Sequence, residues 1–414
     1  MIKKILEYKN FLIYGFGQIV NLITPLLVAP IIISKCGIEN FGKIGVATSI
    51  FLIISLFIDF GSNLIGVKEI SIYKEKNKQI RDYLNIVYTL KILIFFILLF
   101  FILVAIFLLR NIIDYRLYLF SLPILLAQLF NPLWIYQGKE DFRTSNIIIF
   151  FSKSIYIISI FLIIKNTNDY LYVIPLLGIS NSIINIYFFL KIYRDNNLLF
   201  FRVGYKSLKN EFLSTFSIFL SNIFISIYIN APIIIVKYIL GDLAAGIYKI
   251  GDMLLTIYRN YLSVFFNVSF PKFCNLFSQN QQSGYNYLKK VNILNIILVL
   301  FSITVILIGS FIYTYNFIIS YKLNETILFC RKFLFIPVLT AFNIPFYQFL
   351  IYKNQQKIIS KIIFTSTCIM LLMCYCLTSI FNINGTLTSI YLSEALTTSL
   401  IIFFYLRKKL LIQN

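Results

Sequence analysis

The chain has 414 residues, 59% of them hydrophobic and 13% charged, with 37 Lys and Arg against 16 Asp and Glu and no His. These values, with a mean hydropathy of +0.84, exclude a soluble globular domain, and the lack of His removes imidazole metal sites and His proton relays. The apolar residues form continuous stretches, not alternating ten-residue strands, which excludes a membrane β-barrel and predicts an all-α polytopic membrane protein.

In chain order, about twelve runs are long enough to cross hydrocarbon as helices: 11–33, 43–65, 84–109, 117–136, 144–164, 170–190, 212–236, 243–268, 289–319, 328–350, 358–380 and 384–406. The opening "MIKKILEYKN" leads into a run without a small-residue cleavage site, so the first run reads as an uncleaved span and not a signal peptide. The six Cys lie in or beside spans without zinc spacing and read as small buried hydrophobes. No metal site, cofactor or catalytic set is expected.

The Lys and Arg flank the spans. With the N-terminus inside, 24 of them fall in cytoplasmic loops and 10 on the opposite side, leaving Lys91, Lys153 and Arg259 within spans. That bias predicts both termini in the cytoplasm and an even number of spans. The positive charge therefore belongs with lipid headgroups, not with nucleic acid.

Two stretches recur. "APIIISKCG" (29–37) returns as "APIIIVKYILG" (231–241), 202 residues later, and the Lys-Ile-Gly that follows each returns at a spacing of 206. "FNPLWIYQ" and "FNIPFYQ" start 212 residues apart, at Phe130 and Phe342. An even number of spans in each copy makes the repeat parallel. The predicted architecture is two six-helix lobes, residues 1–195 and 196–414, around a central cationic cavity, with the basic loop 191–211 joining them. In "NPLWIYQGKED" (131–141), Trp134 and Tyr136 are expected to anchor the fourth helix at the membrane interface, with Gly138 ending it.

Polar residues at membrane depth mark a cavity or a partner helix. In the eighth span Lys249, Asp252, Thr256, Arg259, Asn260, Ser263 and Asn267 share an arc of about 100° at helical spacing. Leu254, Tyr258, Leu262 and Phe265 lie opposite. Helix-to-helix polar packing is one reading, and the wall of an aqueous cavity is the other, favoured by the stripe's length. The first span carries a milder stripe of Tyr14, Gln18, Asn21 and Thr24. Lys153 lies deep in the fifth span, and Lys91 is shallower, within snorkelling reach of the headgroups. Among acids, Glu394 is near the middle of the last span, Asp59 lies in "DFG", and Asp252 is placed to pair with Lys249.

The stretches "GIENFGKIGVATSIFLIISLFIDFG" (37–61), "NPLWIYQGKED" and "LAAGIYKIGDMLLTIYRNYLSVFFNVSFP" (243–271) resemble signatures of the O-unit flippases (Wzx type) of the multidrug/oligosaccharidyl-lipid/polysaccharide exporter superfamily. The resemblance implies a bacterial inner-membrane protein that moves an undecaprenyl-pyrophosphate-linked oligosaccharide to the periplasmic leaflet by alternating access. It also implies coupling to H+ or Na+, and membrane lipids and other polysaccharide assembly proteins as partners. Related lipid flippases place several Arg in the first span, where this chain has Gln18 and Asn21, so the expected pyrophosphate contact moves to Arg259 and Lys153. The candidate substrate residues are Arg259, Lys153, Lys249, Asn260, Ser263, Thr256, Lys91, Gln18 and Asn21; the candidate coupling residues are Glu394, Asp59 and Asp252. The task is physically coherent, because burying each sugar hydroxyl unpartnered costs roughly 2–7 kcal/mol on apolar scales. A drug or metabolite antiporter of the same superfamily would want buried acids, while the buried charges here are mostly positive. A membrane polymerase or ligase would want a large periplasmic loop, yet the longest extramembrane segments, 66–83 and 191–211, read as cytoplasmic.

Overall fold

Continuous apolar runs fold as helices in hydrocarbon because each backbone polar group is then satisfied within its own segment. The computed structural model describes residues 2–73, 76–112, 114–200, 203–316, 321–353 and 355–413. Lys74, Arg202 and the side chains of Lys3, Lys4, Lys9, Tyr14, Lys322, Lys408 and Lys409, all used in the charge and stripe arguments, lie outside the described residues. The chain divides into two compact units, Met1–Ile234 and Ile235–Asn414. This division falls inside a helix, and a lobe boundary at 195/196 remains part of the functional proposal.

The first unit holds α1 (Ile2–Asp59), a π-helical turn (Ser62–Gly66), α2 (Val67–Ile72), α3 (Asn77–Leu109), α4 (Tyr115–Phe120), α5 (Pro123–Leu129), α6 (Leu133–Gly138), α7 (Phe142–Ile163) and α8 (Tyr170–Asn196). Helix α9 (Tyr205–Leu240) carries the division between the units. The second unit continues with α10 (Asp242–Gln279), α11 (Gln281–Asn316), α12 (Tyr321–Phe333), α13 (Ile336–Tyr352) and α14 (Gln356–Gln413). No strand occurs among the described residues.

Nine helical stretches among the described residues are long and apolar enough to cross a membrane. Two of them, Gly17–Asp59 with 43 residues and Gln356–Arg407 with 52, are long enough for two crossings of about 20 residues each. Each is broken where the sequence separates two runs, at Gly37 (φ 85, ψ 162) and at Asn382 (φ 55, ψ −145). Helix α10, which carries the polar stripe, is 38 residues long and continuous and is not one of those nine stretches, its polar stripe lowering its hydropathy. The chain is a multi-pass helical membrane protein, and these lengths are consistent with twelve crossings.

The internal repeat has a conformational counterpart. Gly37 and Gly241, the last residues of the two matching motifs, have φ of 85° and 84° with nearly extended ψ of 162° and −176°. That region is open essentially to Gly alone, so each copy of the motif ends in the same Gly-dependent helix break.

"NPLWIYQGKED" is built differently from the interfacial anchor expected of it. Trp134 is 0% exposed and Tyr136 is buried, both inside a cluster with Tyr83, Tyr88, Ile148 and Phe189. The indole fits there because Gly66 lies against it: a Cβ on Gly66 would come within 2.5 Å of Trp134 Cε3. The charged knot that follows is a turn and a cap. Glu140 takes a positive φ of 59°, and Asp141 accepts from Thr144 N (3.1 Å) and Thr144 Oγ1 to start α7.

In the second unit, the apolar side of α10 packs inward. Tyr258 and Leu262 are buried with Val299, Ile303, Leu334 and Ile344. Near the other end of α10, Phe273 and Phe277 pack with Leu288 and Phe349, flanked by Tyr352 and Tyr405. These contacts fix which way the opposite side of α10 faces.

Candidate functional site

Because Tyr258 and Leu262 point into the second unit, the residues half a turn away point out of it. Thr256, Ser263 and Asn267 are exposed, and Lys249, Arg259 and Asn260 are partly exposed. Among the described residues the side chains of Asn260, Ser263 and Asn267 make no hydrogen bond. The stripe is therefore a polar face turned away from the second unit's own apolar core.

Its charges are organised by Asp252, which is 5% exposed. Lys249 Nζ donates to Asp252 Oδ2 at 3.0 Å, and Arg259 Nη1 donates to Oδ1 at 3.3 Å. One carboxylate thus holds two cations, one from the turn before it and one from two turns after. Thr256 donates to the Asp252 carbonyl at 2.9 Å, which keeps its hydroxyl on the helix. Lys249, Arg259 and Asp252 together carry a net single positive charge. The pairing of Lys249 with Asp252 follows the sequence expectation; the reach of Arg259 across seven residues does not appear in it.

The first unit has a site of its own. A cavity of ≈ 250 Å³ is bounded by α1, α5, α6, α7 and α8. Asn21 and Lys153, predicted from sequence, both line it, whereas Gln18, also predicted, is not among the lining residues. The other carboxamides come from positions that sequence reasoning did not single out: Gln128, Asn131, Asn181 and Asn185. A signal existed for two of these, since Asn181 and Asn185 are one helical turn apart in an otherwise apolar span.

The remaining candidates lie elsewhere. Lys91 is 1% exposed and does not snorkel. Its Nζ stands 5.2 Å from the Trp134 ring centroid and 5.6 Å from that of Tyr88, a cation over aromatic faces. Asp59 is buried, and its Oδ1 accepts from Ser62 Oγ at 2.8 Å and Gln128 Nε2 at 3.2 Å. Those bonds steady the turn at Phe60 and Gly61, where φ is positive at both residues. Glu394 is 8% exposed in α14, with Thr340 Oγ1 at 3.5 Å from its Oε2, one turn from Thr398, which faces Asn343 at 3.4 Å.

A family model described as "Polysaccharide biosynthesis protein" matches residues 8–277, which include both the lobe cavity and the α10 stripe. The chain belongs to that polysaccharide biosynthesis family. A candidate O-antigen transporter of Escherichia coli (strain K12) is 22% identical over 407 residues, covering 98% of each chain. Another, from Shigella dysenteriae, is 22% identical over 396 residues, covering 94% of this chain and 97% of its own. In fold, the chain is similar to an inward-facing multidrug resistance MATE family transporter of the MOP superfamily, with a TM-score of 0.66 and 14% identity over 95% of this chain and 94% of that one. A MOP superfamily transporter from Pyrococcus furiosus Vc1 (DSM3638) aligns with a TM-score of 0.63 and 14% identity over 98% of this chain and 95% of that one. These relatives and neighbours carry the names of transporters, not enzymes.

Proposed function

We propose that this protein translocates an undecaprenyl-pyrophosphate-linked oligosaccharide from the cytoplasmic to the periplasmic leaflet of a bacterial inner membrane. It works by alternating access, with both termini cytoplasmic and six crossings in each of two lobes. The observation that carries this reading is the polar face of α10, with Lys249 and Arg259 tied through Asp252 into a net-cationic cluster. A lipid-linked pyrophosphate needs cations along a hydrated face, and its glycan needs polar partners that replace water. Thr256, Asn260 and Ser263 supply hydroxyls and an amide on the same face. The family assignment and the O-antigen transporter relatives support the same cargo.

Moving negative charge outward is also downhill in an inside-negative membrane, by about 2.3 kcal/mol per charge per 100 mV. The membrane potential, or an antiported H+ or Na+ at Glu394 or Asp59, both buried within their helices, resets the cycle in this proposal. Other polysaccharide assembly proteins would supply and consume the cargo.

The test is translocation of a fluorescent undecaprenyl-pyrophosphate oligosaccharide in proteoliposomes, read by a membrane-impermeant quencher. Protein-dependent loss of protected signal is expected, and Arg259→Glu should abolish it while the protein still inserts. Normal translocation by that variant removes Arg259 from the path. The fold likeness to multidrug transporters favours a second reading, drug or metabolite antiport. Uptake of organic cations by the same vesicles, with no effect on the lipid-linked glycan, would establish it instead.

A further inference from the structure

The cavity of the first unit has a chemistry distinct from that of the α10 face. Among the described lining residues, five carboxamides, those of Asn21, Gln128, Asn131, Asn181 and Asn185, surround one charged residue, Lys153, and none is a carboxylate. Half of this polar wall is committed to holding itself in place. Asn185 Nδ2 donates to the Ala127 carbonyl at 2.8 Å, Gln128 Nε2 donates to Asp59 at 3.2 Å, and Asn131 Oδ1 accepts from Leu133 N at 3.1 Å. The other half is unspent. Among the described residues the side chains of Asn21, Asn181 and Lys153 make no hydrogen bond or ion pair, and they face the cavity.

The donor and acceptor inventory matches a sugar ring. A carboxamide offers two N–H donors and a carbonyl acceptor, the complement of a hydroxyl that both donates and accepts. Ser55 and Ser152 use their protons on their own helices, at Leu52 O (2.8 Å) and Ile148 O (2.7 Å), and so present lone pairs to a ligand's hydroxyls. Leu52 and Leu177 give apolar wall for the C–H faces of a ring. A volume of ≈ 250 Å³ is the space of roughly eight waters, the scale of one pyranose ring and not of a repeat unit.

Charge narrows the class further. An ammonium held inside a helical unit without a counter-ion is costly, and a ligand anion offsets that cost. Lys153 can balance one negative charge. A pyrophosphate diester carries a charge on each phosphorus and would leave one unbalanced, with no second cation among the described residues of the cavity wall. A hexuronic acid carries a single carboxylate on a ring of hydroxyls.

From this we infer that the first-unit cavity is a glycan subsite for a uronic-acid ring of the cargo, its carboxylate on Lys153 and its hydroxyls on Asn21 and Asn181. This rests on the flippase reading for its biological meaning, but the binding chemistry is testable by itself. Purified full-length protein is titrated with methyl glucuronide, methyl glucoside and inorganic pyrophosphate, read by saturation-transfer NMR. The glucuronide is expected to bind about tenfold tighter than the glucoside, the scale of one charge-assisted hydrogen bond. Lys153→Gln should erase that preference, Lys153→Arg should keep most of it, and Asn181→Leu should weaken both sugars alike. Equal binding of the two sugars by the wild type, or pyrophosphate displacing the glucuronide, overturns the assignment. If no sugar binds while the wild type still translocates lipid-linked glycan, the subsite falls and the flippase reading stands. If glucuronide binds as expected while vesicles translocate nothing, the subsite stands and the flippase reading falls.

Discussion

Replacing Asp252 by Asn separates two roles this residue could have. The carboxylate lies 3.0 Å from Lys249 Nζ and 3.3 Å from Arg259 Nη1. At an effective dielectric of about 20, each contact is worth about 5 kcal/mol before desolvation is subtracted. Breaking a fully buried pair by removing one partner costs about 3–5 kcal/mol. Here the two cations keep 22% and 26% of their side-chain surface, so water recovers part of the loss and about 1–3 kcal/mol is expected. For a unit of this size that is a fall in melting temperature of about 3–10 °C. The measurement is detergent-solubilised thermal unfolding of the wild type, Asp252→Asn and Asp252→Glu, paired with vesicle translocation at varied pH gradient. If Asp252 holds the cations, the Asn variant melts lower, translocates poorly and keeps its response to the gradient, and Glu restores part of both losses. An Asn variant with unchanged melting that has lost only its gradient response would refute the positional role and make Asp252 the coupling acid.

Three further outcomes follow from the same geometry. Gly66→Ala drives a Cβ to 2.5 Å from Trp134 and should cost about 1–3 kcal/mol by overpacking; as Trp134 is the single Trp in the chain, its fluorescence should shift, and an unchanged spectrum and melting point would contradict the slot. Gly37→Ala and Gly241→Ala meet no neighbour within 4 Å, so their cost is conformational alone, about 1–3 kcal/mol each, and equal in the two copies; a large difference in melting between them would break the equivalence of the repeats. In a Cys-free background, Ser263→Cys and Asn267→Cys should react with a membrane-impermeant thiol reagent while Leu262→Cys stays protected, and equal labelling at 262 and 263 would show that the α10 face is not open.

Much of the architecture is legible in one dimension because a bilayer imposes a one-dimensional rule. Run length reports crossing, Lys and Arg placement reports side, and a 3.6-residue period reports which face of a helix is polar. These suffice for the helical membrane class, for the recurrence of the Ala-Pro-Ile-Ile-Ile motif with its terminal Gly, and for the stripe from Lys249 to Asn267. They also made the pairing of Lys249 with Asp252 foreseeable, since the two residues share a helix face.

Periodicity identifies a face but not its neighbour, and everything that depended on the neighbour was decided by tertiary packing. Trp134 looked interfacial because it sits beside charge in the chain; only the approach of Gly66 provides the slot that buries it. Lys91 looked able to snorkel, yet it lies over the rings of Tyr88 and Trp134. Asp59 stands in the sequence with no evident distant partner, and packing brings Gln128 Nε2 onto its Oδ1 beside Ser62 Oγ. The carboxamide cavity shows in the sequence only through Asn181 and Asn185, one turn apart, because its other amides come from α1, α5 and the α5–α6 junction and are unremarkable alone. A polar site of that kind exists only where separate helices converge, and hydrophobic burial of their other faces sets that convergence.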